Sequence, residues 1–179
     1  MKKRKLPVFL LLTMVGLLMI SCNKDALDVT EEFDLRTSIV VSDNHADFVG
    51  EHLLDALAES EMIDNYASVI KSIEIIEVTY YVSDLTGTIT QQINSGTLEV
   101  ADPDGANSMV ISTMQNVNLM QATTEQTIVF DQAAIDKLAS LIKNDPHQAM
   151  VYLRGDVNET PVDFTVVVNF RVKMVAGVL

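Results

Sequence analysis

From Val162 onward every second residue is apolar: Val162, Phe164, Val166, Val168, Phe170, Val172, Met174 and Ala176. Asp163, Thr165, Val167, Asn169, Arg171, Lys173 and Val175 fall between them. Successive side chains of a strand point to opposite faces, so this period of two predicts a strand with one buried and one mostly wetted face. At ~3.4 Å per residue it would run roughly 50 Å, and is expected to bend or to serve two sheets. Gln148 to Val157 also alternates, with Ala149, Val151, Leu153 and Val157 on one side. Asn158-Glu159-Thr160-Pro161 then reads as the loop of an antiparallel hairpin joining the two strands.

The same period marks an N-terminal strand through Phe33, Leu35, Thr37, Ile39 and Val41. Ile73 to Val82 is rich in β-branched residues and Tyr, and its alternation slips near Ile75-Ile76, which predicts a β-bulge. Thr88 to Val100 and Met109 to Met120 supply two or three further strands, and Ile128-Val129-Phe130 a short one.

Helical spacing interrupts this pattern. Asp131 is placed to cap a helix running to about Lys143, with Ala134, Ile135, Leu138, Leu141 and Ile142 as its apolar stripe. Asn144, Asp145 and Pro146 stop it. A second helix is expected from a cap at Asp43 or Asn44 through Ala58, with Val49, Leu53, Ala56 and Leu57 inward. Ser60 would cap a third, with Met62, Ile63, Tyr66, Val69 and Ile70 inward. The expected fold is mainly β: an antiparallel, immunoglobulin-like β-sandwich with two or three helices in its connections. The alternating strands and the C-terminal pair are similar to the LEA14/WHy type of sandwich.

The N-terminus has a different pattern. Met1-Lys2-Lys3-Arg4-Lys5 precedes an apolar run from Leu6 to Ile20, then Ser21 and Cys22, the only cysteine. About 15 apolar residues make a helix of roughly 22 Å, short of the ~30 Å hydrocarbon core of a bilayer. A basic head, an apolar stretch and a small residue at the end form a secretory signal. Leu18 to Cys22 resembles the lipobox of bacterial lipoproteins, with Met19 where Leu is usual. That resemblance implies cleavage before Cys22, lipid on its thiol, and an anchor to the outer membrane facing the periplasm or the cell surface. The expected organisation is a signal peptide over 1–21, an acidic tether over 22–32, and one β-rich domain over 33–179.

Charge sharpens this division. The chain carries 12 basic and 25 acidic side chains, and Lys2, Lys3, Arg4 and Lys5 all lie in the signal. The remainder is therefore about −17, which disfavours nucleic acid, whose phosphates require Lys and Arg. With a single cysteine there is no intrachain disulfide, so an apolar core must hold the fold. The chain has no Trp, which argues against an aromatic carbohydrate platform.

Candidate chemistry is sparse. Asp102-Pro103-Asp104-Gly105-Ala106-Asn107 holds the oxygen-bearing side chains of Asp102, Asp104 and Asn107 at the spacing of a partial calcium loop. A full loop ends in a bidentate Glu, whereas Met109-Val110-Ile111 follows here. Pro-Asp-Gly is also a turn signature, and a hairpin turn is the expected role. His45 and His52, seven apart with Glu51 and Asp55 nearby, lack the three- or four-residue spacing of helical metal ligands. His147 follows a helix end. Asn158-Glu159-Thr160 matches a glycosylation sequon but reads as a loop. No nucleophile elbow, phosphate loop or dinucleotide fingerprint is present. The chain is expected to be non-catalytic and to need no cofactor, acting as a binding or structural module with a protein or lipid partner in the envelope. The alternative is a carrier of lipid or another hydrophobic ligand, its long strand wrapped against helices.

Overall fold

The computed structural model describes residues 28–177. Eight strands run in the order β1 (Val29–Asp43), β2 (Asp47–Asp55), β3 (Ile70–Ser83), β4 (Gln92–Ala101), β5 (Met109–Asn118), β6 (Gln126–Thr127), β7 (Gln148–Val157) and β8 (Val162–Ala176). Helices α1 (Ala56–Glu59) and α2 (Glu61–Tyr66), with a 3₁₀ turn at Ala67–Val69, join β2 to β3. Helix α3 (Gln132–Lys143) joins β6 to β7.

The strands form two antiparallel four-stranded sheets, ordered β1-β8-β3-β6 and β2-β7-β4-β5. Only β4 and β5 are consecutive partners within one sheet; every other connection crosses to the facing sheet. The antiparallel sandwich with helices in its connections is thus the architecture. Its strand order refines the immunoglobulin-like arrangement to an eight-stranded jelly roll.

The alternating residues of β8 build the core as their period predicts. Phe164, Val166, Val168, Phe170, Val172, Met174 and Ala176 are all buried. β8 pairs with β1 over its whole length and with β3 from Thr165 onward, and does not pass into the second sheet. Phe48 on β2 meets Phe164 edge-on from the opposite sheet, with ring centroids 5.8 Å apart and planes at 82°. That T-shaped contact spans the sandwich. The slip foreseen near Ile75-Ile76 is a bulge: Ile75 pairs with Val172 and Glu77 with Arg171, leaving Ile76 as the extra residue.

Helix α3 starts where its cap predicts, with the Asp131 carboxylate accepting from the Ala134 N–H at 3.1 Å. Ala134, Ile135, Leu138, Ala139 and Ile142 are buried, while Leu141 is only half-buried. Ser60 caps α2 as expected, but that helix ends at Tyr66, and Ile70 already pairs with Ala176.

Four expectations are corrected. The helix foreseen from Asp43 or Asn44 to Ala58 is strand β2 followed by one helical turn capped by Asp55. Val49 and Leu53, offered as its inward stripe, point outward, and Phe48, Gly50 and Leu54 face the core at period two. The ladder offered by β7 outweighs a helical spacing that the same residues also satisfy. The tether foreseen to residue 32 gives way earlier, because Val29 to Glu32 pair with Lys173 to Ala176. The β7–β8 hairpin is an arch between sheets. Both strands are central, with β2 and β4 on the edges of β7 and β1 and β3 on those of β8, so neither has an edge to offer the other. Finally, Gln126-Thr127 pairs with Thr79-Tyr80 in place of Ile128-Val129-Phe130.

Candidate functional site

Cys22 lies outside the described residues. Asp102, Asp104 and Asn107 do come together, in the turn between β4 and β5. Gly105 adopts φ +82° there, the left-handed region that favours glycine. Each of the three candidate side chains is engaged within the turn or with α3. The Asp104 carboxylate accepts from the Ala106 N–H at 3.0 Å, and Asp102 accepts from the Asn107 side chain at 2.7 Å. Lys137 of α3 pairs with the other Asp102 oxygen at 2.8 Å and donates to the Asn107 carbonyl. The Lys137 and Asn107 hydrogen bonds hold the Asp102 carboxyl below the usual aspartate range. A protein ammonium stands where a calcium ion would have to bind, and the turn pins α3 to the sheet.

The histidines are far from forming a ligand set. His45 is exposed in the β1–β2 loop and bonds Asp43 at 2.9 Å. His52 lies on β2, 3.8 Å from Glu59. His147 is buried, its Nδ1 3.0 Å from the Ile142 carbonyl at the end of α3. Among the described residues no three His, Cys, Asp or Glu side chains gather as a metal site.

Two further polar clusters are woven into the fold. On the outer face of the second sheet, burial pushes the Glu99 carboxyl up. Ser108, Thr97 and Arg154 outweigh it and hold Glu99 below its usual range. Arg154 also stacks over Tyr152, 4.3 Å from the ring centroid. At one end of the sandwich, Glu159 in the β7–β8 arch accepts from Thr88 at 2.6 Å and Thr90 at 2.7 Å. The buried Gln91 amide donates to the carbonyls of Glu159 and Pro161, both at 3.0 Å. Asn158, the first residue of the sequon, accepts from the Gln92 N–H at 2.8 Å and donates to the Thr90 carbonyl.

The Thr88 and Thr90 hydroxyls hold the Glu159 carboxyl below its ordinary value of 4.5. A depressed carboxylate stabilises the fold above its ordinary value and loses that contribution as pH falls through its lowered one. Glu159→Gln is therefore expected to lower the melting temperature at neutral pH, with the deficit shrinking below about pH 4.5. Thermal melts of both proteins from pH 7 to pH 3 check this; a deficit that grows on acidification would refute it.

A groove of about 780 Å³ lies between β5 and the segment 127–131. Tyr80, Met114, Val117, Ile128 and Phe130 line it. It forms because β6 is only two residues long, so the two sheets are not closed on that side by a full pair of strands. The segment stitches them instead: Ile128 N–H donates to the Val78 carbonyl at 2.9 Å, and Asp131 N–H to the Ile111 carbonyl at 2.8 Å. Met109–Met120 was read from the sequence only as strand. That its outer edge is left open depends on the brevity of β6, which no periodicity signals.

Fold and surface together define a jelly-roll sandwich whose polar clusters brace loops and whose open feature is a strand edge beside a groove of mixed polar and apolar lining. No protein-family model matches the chain, and no curated protein matches it in sequence. Among solved structures it is similar to one of Desmodium yellow mottle tymovirus, at 7% identity over 84% of this chain and 90% of that one, with a TM-score of 0.35. Turnip yellow mosaic virus gives 9% identity over 86% and 82%, with a TM-score of 0.37. A structure concerned with the promiscuous specificity of carbohydrate-binding modules of the β-sandwich superfamily gives 13% identity over 79% and 54%, with a TM-score of 0.32. Likenesses this distant carry no argument about chemistry or partners.

Proposed function

We propose that this protein is a lipid-anchored bacterial lipoprotein of the outer membrane whose folded domain is a non-catalytic binding or structural module. The observation that carries the reading is Cys22, the single cysteine, at the end of a basic head and an apolar run too short to span a bilayer. Lipidation consumes the one thiol that would otherwise be unpaired in an exported protein. β1 is already paired at Val29, so the six residues between it and Cys22 would hold the domain within roughly 25 Å of the anchor.

Non-catalytic action is favoured by the polar clusters, whose members bond one another and brace loops. The carrier alternative has less support. It needs the long strand to wrap helices around a cavity, whereas β8 packs into a core filled by Phe48, Phe164, Phe170, Leu35 and Ile39.

Cys22→Ala is expected to abolish incorporation of labelled palmitate and to release the protein from the membrane fraction. Continued labelling would overturn the anchor. Native mass spectrometry of the purified protein separates the two modes of action. Extracted lipid at one per chain, beyond the covalent chains, would replace the module with the carrier.

A further inference from the structure

We infer that β5 is a self-association edge, through which two copies of this chain pair antiparallel into one continuous eight-stranded sheet. The inference does not depend on the lipid anchor.

Among the described residues β5 is the outer strand of its sheet and pairs only with β4. The segment 127–131 covers it at Ile111 and Ser112, where Asp131 N–H and Ser112 Oγ make the bridging bonds. Beyond them Thr113, Met114, Gln115 and Val117 line the groove. An open edge is a row of unpaired N–H and C=O groups, which proteins ordinarily guard with charge, proline or a bulge that turns it away. The span Thr113-Met114-Gln115-Asn116-Val117-Asn118 has no charge and no proline; the register shift of this strand lies before it, opposite Leu98 and Glu99, and within it Asn116 alone departs from extended backbone, at φ +52°.

Exposed apolar side chains gather at both ends of that span. Val110 is 43% exposed and Val129 92%, adjacent through the Ser112 Oγ bond to the Val129 carbonyl. At the other end Met120 is 45% exposed and Ile89 75%, next to the Asn118 side chain that donates to the Ile89 carbonyl. Apolar area flanking an unguarded edge is what a strand-pairing interface would bury.

Charge selects the occupant. Between Met109 and Asp131 only Glu125 and Asp131 are charged, and Asp131 is engaged as the α3 cap. A basic partner would be drawn to the acidic surface elsewhere and has almost nothing to pair with here. Two copies, each near −17, repel over most approaches and meet without opposing carboxylates on this face. A twofold interface needs only that one patch complement itself, which antiparallel pairing of an uncharged strand does.

The test is crosslinking of the purified full chain in detergent, with a short bismaleimide and a new cysteine at Gln115→Cys; wild type, carrying Cys22 alone, sets the background. A covalent dimer is expected from Gln115→Cys and none above background from Val40→Cys, which is also exposed but lies on the other sheet. Adding Thr113→Lys, a charge on the edge at an exposed position, is expected to reduce the dimer by about tenfold while leaving the melting curve in place. Added salt is expected to increase it, because screening weakens repulsion between acidic copies. Equal crosslinking at both positions, or none at Gln115, overturns the inference. So does a Gln115 adduct in membranes with the mass of a different protein and no dimer from the purified chain.

Discussion

Gly155→Val is expected to cost about 3 kcal/mol, the upper end of what overpacking a close contact brings. Gly155 sits mid-strand in β7, opposite Phe48 on one side and Gly96 on the other. A Cβ at this position would lie 2.4 Å from the Ser95 carbonyl oxygen, and 3.0 Å from both the Gly96 Cα and the Phe48 ring. Two of the three obstacles are backbone, and the third is a buried ring held edge-on against Phe164. β4 cannot retreat without breaking its ladders to β5 and β7 together. Urea unfolding reads the result as a lower midpoint with an unchanged slope. Gly177→Ala is the control, since its nearest obstacle is 3.7 Å away, an ordinary contact, and it should leave the midpoint in place. A Gly155→Val midpoint equal to wild type would show that β4 and β7 are not in this register.

Phe164→Ala is expected to cost about 3–5 kcal/mol, the range for emptying a buried aromatic site. The side chain is 1% exposed and comes from the centre of one sheet to meet Phe48, 2% exposed, from the edge strand of the other. With no disulfide among 179 residues and a single cysteine, such contacts between sheets carry the cohesion of the sandwich. Deleting Phe48 as well should cost less than the sum of the two separate losses, by about 0.5–1.5 kcal/mol. Additive losses in the double-mutant cycle would mean that the rings do not meet.

Both effects arise where period-two sequence meets tertiary packing, and the legibility of the fold divides in the same place. β8 was readable almost to the residue because eight consecutive inward positions are apolar, and its partner β1 because five are inward at the same period. The bulge at Ile76 was readable because the slip in alternation is itself the sequence signature of an extra residue. α3 was readable because cap, stripe and stop agree. β2 was not: Val49, Leu53 and Leu57 fit a helix, while Phe48, Gly50 and Leu54 fit a strand, and only the ladder to β7 decides between them.

The site divides likewise. The turn at Asp102 could be named from Pro-Asp-Gly, but its ammonium partner Lys137 is 35 positions away on a helix. The Glu159 clamp joins an arch to a loop about seventy residues earlier, and neither half signals the other. By itself, then, the sequence determined most of the strands and their inward faces (β2 and β6 excepted), the capped helix and the acidic balance, because each is written in neighbouring residues or in a sum over them. The tertiary structure alone decided which sheet each strand joins, that β7 and β8 face each other across the core, and that β5 keeps an open edge. Backbone hydrogen bonds, which make those choices, are the same for every residue type except proline and so leave no mark in the side-chain pattern.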